Sequence, residues 1–260
     1  MEQSSNFDIG LGLEGSHVVV TGGAGAIGSV VVQAFLAAGC LVTAMDINDA
    51  KLASLPTHSN LQSVKVDIMD EAGLEKAFYR ATGKFGLIAI CVAAAGKDLS
   101  FIEHHGSMID MPVEQFETTI RVNVTGTFLT ARAWMKGLDK YARADARNLS
   151  LIIFGSEAGT YGVRSNADYA TSKAALIGLG VSLATDVVSI HPRARVNVVR
   201  PGPVDTPQFR KECAEDPQMV WTEYGATTAL KSAVPMEVVA RTCLFLASEV
   251  RRFLLKWLSG

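Results

Sequence analysis

Short strand-like segments alternate with helix-like segments from residue 16 almost to the end of the chain. The strand-like segments are apolar and β-branched, and the segments between them follow the helical period. Such alternation predicts parallel pairing through right-handed helical crossovers. The predicted strands are 17–21, 41–46, 60–67, 87–96, 148–156 and 194–202, and the predicted helices are 26–38, 70–82, 113–140 and 167–190.

These elements predict an α/β fold in which a doubly wound parallel sheet carries helices on both faces. Ligands bind such sheets at the carboxyl ends of the strands, near the point where strand order reverses. We expect one domain over residues 1–260 because no linker, repeat or low-complexity segment divides the chain. Residues 1–14 are interpreted as an N-terminal extension. The irregular segments 97–111 and 203–234 follow strand ends, where loops that face substrate lie.

The composition of the chain limits the classes of partner and site that we expect. The formal net charge of −2 gives no electrostatic reason to expect a nucleic acid partner. Neither a signal peptide nor an uninterrupted apolar run of membrane-spanning length is recognised, so we expect a cytoplasmic protein without a membrane partner. The four cysteines, Cys40, Cys91, Cys213 and Cys243, form no C-x-x-C motif and are expected to be free thiols, mostly buried. His104 and His105 have no accompanying cluster of metal ligands, so no metal site is assigned.

The segment TGGAGAIG at 21–28 lies between a predicted strand and a predicted helix. Glycines there permit a tight turn and let a pyrophosphate approach backbone N–H groups at the helix N-terminus. An ordinary glycine-rich turn is the alternative, but the strand–turn–helix context favours a dinucleotide site. Gly22, Ala26, Ile27 and Gly28 are the predicted contacts.

Asp46 ends the second predicted strand. A carboxylate there can accept hydrogen bonds from ribose hydroxyls and would repel a 2′-phosphate, and neighbouring Ile47 supplies no positive charge. The sequence therefore predicts NAD(H) over NADP(H), unless Asp46 merely begins a turn. Asp67, followed by Ile68, ends the third strand and could meet the adenine edge or cap the next helix. In AAAG at 93–96, Ala94 and Gly96 leave room for the cofactor or only permit close packing.

Tyr169 and Lys173 stand four apart near the start of a predicted helix, a spacing that also occurs by chance. Together with the glycine loop, Asp46, Asn123, Ser156 and RPGPVDT at 200–206, they resemble the short-chain dehydrogenase/reductase family in order and spacing. The resemblance covers about residues 14–248. It implies a Rossmann fold, a nicotinamide cofactor and hydride transfer at a carbonyl carbon.

The resemblance also implies roles for the catalytic residues. Tyr169 would be the general acid or base, because an adjacent ammonium from Lys173, with the oxidised cofactor, would lower the pKa of its phenol. Ser156 would hold the substrate oxygen, and Lys173 would also contact the nicotinamide ribose. Asn123 would support a water molecule that links Lys173 to solvent, its alternative being a polar residue that satisfies a helix backbone.

The turn after the sixth strand would meet the nicotinamide carboxamide through Val204 and Thr206, next to Pro201 and Gly202. Residues 203–234 could close over an apolar substrate as a lid, or simply pack on the body. The full set of predicted cofactor contacts is Gly22, Ala26, Ile27, Gly28, Asp46, Ile47, Asp67, Ile68, Ala94, Gly96, Tyr169, Lys173, Pro201, Gly202, Val204 and Thr206.

Three features depart from the family pattern. Ala26 replaces a glycine, AAAG lacks the usual asparagine, and the tail at 249–260 lacks the usual glycine-led final strand. The family assembles through its long helices, so a homodimer or homotetramer is expected.

The leading hypothesis is an NAD(H)-dependent oxidoreductase that interconverts a secondary alcohol and a ketone. The region 148–212 is most similar to enzymes of fungal secondary metabolism, which suggests a small apolar substrate. The alternatives are a cofactor-bound scaffold for a non-redox cyclisation or isomerisation, and a non-catalytic NAD-binding protein.

Overall fold

Six parallel strands form the sheet at the centre of the computed structural model, which describes residues 10–216, 218 and 231–249. Their spatial order is β3-β2-β1-β4-β5-β6. The chain thus builds outward from β1 to β3, crosses the sheet, and builds outward again from β4 to β6. The strands are β1 (His17–Thr21), β2 (Leu41–Asp46), β3 (Leu61–Lys65), β4 (Ile88–Ala93), β5 (Ser150–Phe154) and β6 (Arg195–Val199).

Helices cover both faces of this sheet. The α-helices of the described residues are α1 (Ala26–Ala37), α2 (Asp49–Ala53), α3 (Glu71–Phe85), α4 (Val113–Ile120), α5 (Gly126–Tyr141), α6 (Ala158–Tyr161), α7 (Ala167–Ile190), α8 (Pro207–Glu215) and α9 (Met236–Ala247). One layer contains α1 packed against α9, and the other contains α3, α5 and α7. The predicted doubly wound α/β fold is confirmed.

The core lies between the sheet and its two helix layers. Every residue of β1, β4 and β5 is buried, as expected for parallel strands that are covered on both faces. Trp134 on α5 is almost fully buried and donates its indole N–H to the Ile88 carbonyl oxygen at 3.1 Å. Leu13, from the predicted N-terminal extension, also belongs to this core.

The predicted helix over 113–140 is interrupted in the structure. Residues Arg121–Thr125 form a π-helical turn between α4 and α5. Such turns are often found at functional sites, and this one contains Asn123. The predicted strands 60–67, 87–96, 148–156 and 194–202 are longer than the strands of the structure. The helices α2, α6, α8 and α9, and the 3₁₀ turns Leu99–Phe101 and Met108–Asp110, lie in segments where no element is predicted.

The three most buried cysteines, Cys40, Cys91 and Cys243, are free thiols, as the sequence predicts. Burial raises the pKa of the Cys40 and Cys243 thiols to about 12 and raises that of Cys91 further. These thiols therefore remain protonated at neutral pH and act as small apolar core groups.

Helix α7 has the length and hydropathy of a membrane span, a property that core helices of water-soluble proteins share. Here it packs against β6, α4 and α6.

The helices on which assembly is predicted, α4, α5 and α7, carry exposed apolar side chains. These are Phe116, Phe128, Val181 and Val188. Homo-oligomerisation and cytoplasmic location stay predictions.

Two predicted features lie outside the described residues. One is the tail at 250–260, where the sequence departs from the family pattern. The other is the second half of the predicted lid, most of 217–230.

His17, at the start of β1, is a buried ionisable group. Its neutral ring donates from Nδ1 to the Gly86 carbonyl oxygen and accepts at Nε2 from the Thr43 hydroxyl, both at 3.0 Å. Burial lowers the pKa of His17 from 6.5 to about 4, opposed by the hydrogen bond to Gly86. The folded state therefore binds fewer protons than the unfolded state between these two values.

We predict that stability falls as pH decreases through this window, by about 2 kcal/mol between pH 7.5 and pH 5. The sign follows because the unfolded chain protonates His17 first. Urea unfolding at both pH values measures it, with His17→Gln expected to lose this pH dependence and the exposed His58→Gln to retain it. Equal dependence in His17→Gln and wild type would contradict the assignment.

Candidate active site

The sequence-predicted site residues converge at the carboxyl ends of β1, β2, β4 and β5, where the strand order reverses. This is the position at which doubly wound sheets bind ligands. The glycine loop follows β1, Asp46 ends β2, and Gly96 lies beyond the end of β4. Ser156 follows β5.

The glycine loop is held in close backbone packing. Gly22 has a φ of +69°, and a Cβ there would lie 2.8 Å from the backbone of Ala95. A Cβ on Gly28 would lie only 2.0 Å from the carbonyl oxygen of Gly22. Helix α1 begins after Gly25 without a side-chain cap, so its first N–H groups point into the loop and can bind a pyrophosphate.

Ala26, the predicted departure from the fingerprint, is compatible with this loop. It is the first residue of α1, where alanine is the best helix former, and it is exposed, so its methyl group is not forced into the turn. Ile27 follows it, half-buried against the core.

Asp46 is fixed between the glycine loop and the start of α2. Its Oδ2 accepts a hydrogen bond from the Ala24 N–H at 3.1 Å, and its Oδ1 accepts from the Asn48 N–H at 2.9 Å. A carboxylate has about four acceptor positions, so it can still bind two ribose hydroxyls. Ile47 beside it is largely exposed.

Asp70, and not Asp67, caps the helix that follows β3. Asp70 is the N-cap of α3 and accepts from the Gly73 N–H at 3.0 Å. Asp67 instead accepts from the Met69 N–H at 2.9 Å, so it forms a turn at the end of β3 and is not the helix cap. Ile68 is buried, with its side chain packed against Gly126.

The small residues after β4 allow three elements to approach. Ala94 is packed against the core, and Ala95 contacts the glycine loop at Gly22. A Cβ on Gly96 would lie 2.9 Å from Asn123 Oδ1 and 3.9 Å from Lys173 Nζ. Close packing, one of the two interpretations of AAAG, is therefore confirmed for Gly96, which also lies beside the predicted catalytic lysine.

Asn123 binds the loop that follows β4. Its Oδ1 accepts from the Lys97 N–H at 2.7 Å, and its Nδ2 donates to the Lys97 carbonyl oxygen at 3.0 Å. The same Nδ2 lies 2.9 Å from the Ser172 hydroxyl oxygen on α7. The described contacts of Asn123 thus connect the backbone of one loop to a side chain on α7, and its predicted role in binding water stays a prediction.

Lys173 is buried one helical turn after Tyr169. Its Nζ donates to the Phe154 carbonyl oxygen at 3.0 Å and lies 5.6 Å from the centroid of the Tyr169 ring. Burial lowers the pKa of Lys173 to about 8, opposed by the negative charge of Asp98. The ammonium form is therefore still favoured at neutral pH.

Ser156 lies close enough to Tyr169 for its side chain to influence the phenol. Burial raises the pKa of Tyr169 to about 12, the Ser156 side chain lowers it, and the charge of Asp98 raises it further. Desolvation of the phenolate is the largest effect in the chain alone, and the predicted lowering by Lys173 together with the oxidised cofactor stays a prediction. Ser156 Oγ also accepts from the Ala158 N–H at 3.2 Å.

The turn after β6 lies beside Ser156. The Pro201 carbonyl oxygen accepts from the Glu157 N–H at 3.1 Å, and a Cβ on Gly202 would lie 3.1 Å from the Glu157 carboxylate. Val204 pairs with Val234 in an isolated parallel bridge. Thr206 caps α8, its hydroxyl accepting from the Phe209 N–H at 3.1 Å.

Sequence reasoning missed the groups that surround Tyr169. Leu99, Ile102, Ala158 and Val163 form a small apolar cluster with its ring. Asp98 acts electrostatically on both Tyr169 and Lys173. For the apolar cluster and for Asp98, the sequence offered only one indication, namely that these residues lie in irregular segments that follow a strand end. Within residues 10–216 and 231–249, no group of three His, Cys, Asp or Glu residues is arranged to hold a metal ion.

Comparison with known proteins gives consistent results. A family model described as enoyl-(acyl carrier protein) reductase matches residues 22–255. Dehydrogenase/reductase SDR family member 6 of Aquarana catesbeiana is 30% identical over 239 residues, covering 91% of each chain. The 3-oxoacyl-[acyl-carrier-protein] reductase FabG of Thermotoga maritima is 30% identical over 248 residues, covering 91% of this chain and 92% of the relative.

Solved structures share the fold. A short-chain dehydrogenase/reductase described as a glucose/ribitol dehydrogenase, from Brucella melitensis, superposes with a TM-score of 0.77 at 26% identity, covering 92% of each chain. NAD+-bound xylitol dehydrogenase superposes with a TM-score of 0.81 at 20% identity, covering 93% of this chain and 95% of that one.

The packing of the glycine loop gives a testable prediction. Gly28→Ala places a methyl group against the Gly22 carbonyl oxygen, and overpacking of this kind costs about 1–3 kcal/mol. We expect NADH affinity, followed by nicotinamide fluorescence, to fall about tenfold or more.

The matched control is Gly178→Ala in the middle of α7, where the new methyl group meets nothing within 4 Å. It should retain NADH binding and gain up to about 1 kcal/mol of stability through helix propensity. Unchanged NADH affinity in Gly28→Ala would show that this loop does not bind the cofactor.

Proposed function

The chain belongs to the short-chain dehydrogenase/reductase family, and on that premise we propose that it interconverts a secondary alcohol and a ketone with NAD(H). Tyr169 is the proposed general acid and base. The observation that carries the proposal is that Ser156, Tyr169 and Lys173 lie together near the glycine loop, with Lys173 Nζ 5.6 Å from the centroid of the Tyr169 ring.

The glycine loop and Asp46 fit a nicotinamide dinucleotide. The uncapped start of α1 and the close packing of Gly22 and Gly28 leave a backbone surface for the pyrophosphate, and Asp46 retains acceptors for the ribose. The bound cofactor supplies or accepts the hydride.

The side chains of the protein bind the substrate oxygen and transfer the proton. Ser156 donates to the carbonyl oxygen as it gains negative charge, and Tyr169 transfers its phenolic proton to that oxygen. Because Tyr169 is protonated at neutral pH, it is ready to act as the acid in ketone reduction. The Lys173 ammonium, held by the Phe154 carbonyl oxygen, stabilises the phenolate that remains.

In the oxidation direction the Tyr169 proton must leave first. Burial opposes this, so alcohol oxidation is expected to increase toward alkaline pH. Positive charge on the oxidised nicotinamide would favour phenolate, as proposed from the sequence.

We assign the substrate to small apolar ketones or alcohols of the kind found in secondary metabolism. Support comes from the apolar cluster of Leu99, Ile102, Ala158 and Val163 beside Tyr169. Helix α8 begins directly after Thr206, within the segment proposed as a lid.

Tyr169→Phe removes the phenolic proton but keeps the ring in its apolar cluster. We expect turnover of methyl ketones with NADH to fall by a factor of 100 or more, roughly the contribution of general acid–base catalysis. NADH affinity should change little. Stopped-flow absorbance at 340 nm, with a panel of aryl and alkyl methyl ketones, measures the rate.

Tyr161→Phe is the control, since Tyr161 on nearby α6 is largely exposed. It should retain wild-type turnover. Equal rates in Tyr169→Phe and wild type would rule out Tyr169 as the acid.

Asp46→Ala tests the cofactor preference. Removing this carboxylate eliminates its repulsion of a 2′-phosphate, so NADPH should bind about tenfold or more tighter, while NADH binds more weakly. Fluorescence titration with each cofactor measures both constants. Asp49→Ala, an exposed carboxylate three residues along, should alter neither preference. A wild type that already prefers NADPH contradicts the role of Asp46.

A further inference from the structure

The proposed mechanism leaves Asp98 without a role. We propose that Asp98 is a specificity-determining residue that favours substrates that are neutral or carry an amine over substrates that carry a carboxylate. This inference rests on the proposed function, because it concerns the substrate of the same site.

The backbone on both sides of Asp98 is fixed at the catalytic residues. Gly96 lies beside Lys173 Nζ, and both peptide groups of Lys97 are hydrogen bonded to Asn123. On the other side, Leu99 packs against the apolar cluster that contains Tyr169. Asp98 itself caps the 3₁₀ turn, with Oδ1 accepting from the Ser100 N–H at 3.0 Å. Asp98 is exposed, in a loop whose neighbouring residues contact the catalytic groups.

The charge of Asp98 reaches the reacting groups. It raises the pKa of both Tyr169 and Lys173. Glu212 on α8 also acts on Asp98. The pKa of Asp98 is raised by partial desolvation, and the negative charge of Glu212 raises it further, while its bonds to Ser100 and the charge of Lys173 lower it. Two carboxylates from different elements are therefore close enough to repel each other.

The cations near these carboxylates are mostly engaged. Arg210 on α8 binds Asp205 with both oxygens, at 2.6 and 2.7 Å, and Lys211 lies 3.9 Å from Glu215. Lys173 is buried against the Phe154 carbonyl oxygen, and Lys97 precedes Asp98 in the chain. A substrate carboxylate beside Asp98 would be repelled by it, whereas an ammonium group would be attracted.

The experiment compares three ketones of one shape: 4-phenylbutan-2-one, its para-carboxylate and its para-aminomethyl analogue. For wild type with NADH, we expect kcat/KM to be highest for the amine and lowest for the carboxylate. In Asp98→Asn, the ratio of carboxylate to neutral kcat/KM should rise about tenfold and the ratio of amine to neutral should fall. Asparagine keeps the cap to Ser100, so the loop conformation is retained.

Asp110→Asn is the control, an exposed carboxylate in the same loop that caps no turn. It should leave both ratios at the wild-type values. Unchanged ratios in Asp98→Asn, or a carboxylate ketone that equals the neutral one in wild type, would overturn the inference.

Calorimetric binding of the three compounds to the wild type and to Asp98→Asn, each saturated with NAD+, which cannot reduce a ketone, separates the two proposals. Absence of Tyr169-dependent turnover would remove the proposed function. The rank order of binding decides the charge selection without turnover: amine tightest in wild type and lost in Asp98→Asn supports it, and the same order in both proteins contradicts it.

Discussion

The hydrogen bonds of one buried amide organise the site. Asn123 lies in a π-helical turn between α4 and α5 and holds both peptide groups of Lys97, while its Nδ2 lies beside the Ser172 hydroxyl on α7. An amide offers two donors and an oxygen acceptor in one plane, so this side chain can connect a loop and a helix at once. The loop after β4 is thereby fixed against the helix that carries Tyr169 and Lys173, and the unpaired backbone groups of Lys97 are satisfied.

The electrostatics of the site follow from burial more than from pairing. Desolvation is the largest effect on both Tyr169 and Lys173, and it disfavours the charged form of each. Asp98 then acts in opposite senses: it favours the ammonium of Lys173 and disfavours the phenolate of Tyr169. The chain alone therefore holds the pair as a cation beside a neutral phenol, the protonation state that a proton donor needs.

The sequence predicts the sheet and the longest helices well, because their signals are local. β1 and β2 have the predicted bounds, and so does α7 at 167–190. The four-residue α6 and five-residue α2 are too short for the helical period to be recognised. The π turn that interrupts 113–140 depends on the contact between Asn123 and Lys97, 26 residues apart, which no local pattern contains.

The residues of the candidate site likewise fall into those that a local motif predicts and those that only the tertiary structure brings together. Residues with a motif, such as the glycine loop and the Tyr169–Lys173 pair, are predictable because the chemistry restricts their type and spacing. Asp98 has no motif: its importance comes from a tertiary arrangement that places a carboxylate within electrostatic reach of Tyr169, Lys173 and Glu212. A residue of this kind can vary without disturbing the core, since exposed loop positions contribute little to it. The catalytic residues thus define the reaction, and the loop after β4 is where a protein with this sheet can change the charge of the substrate it accepts.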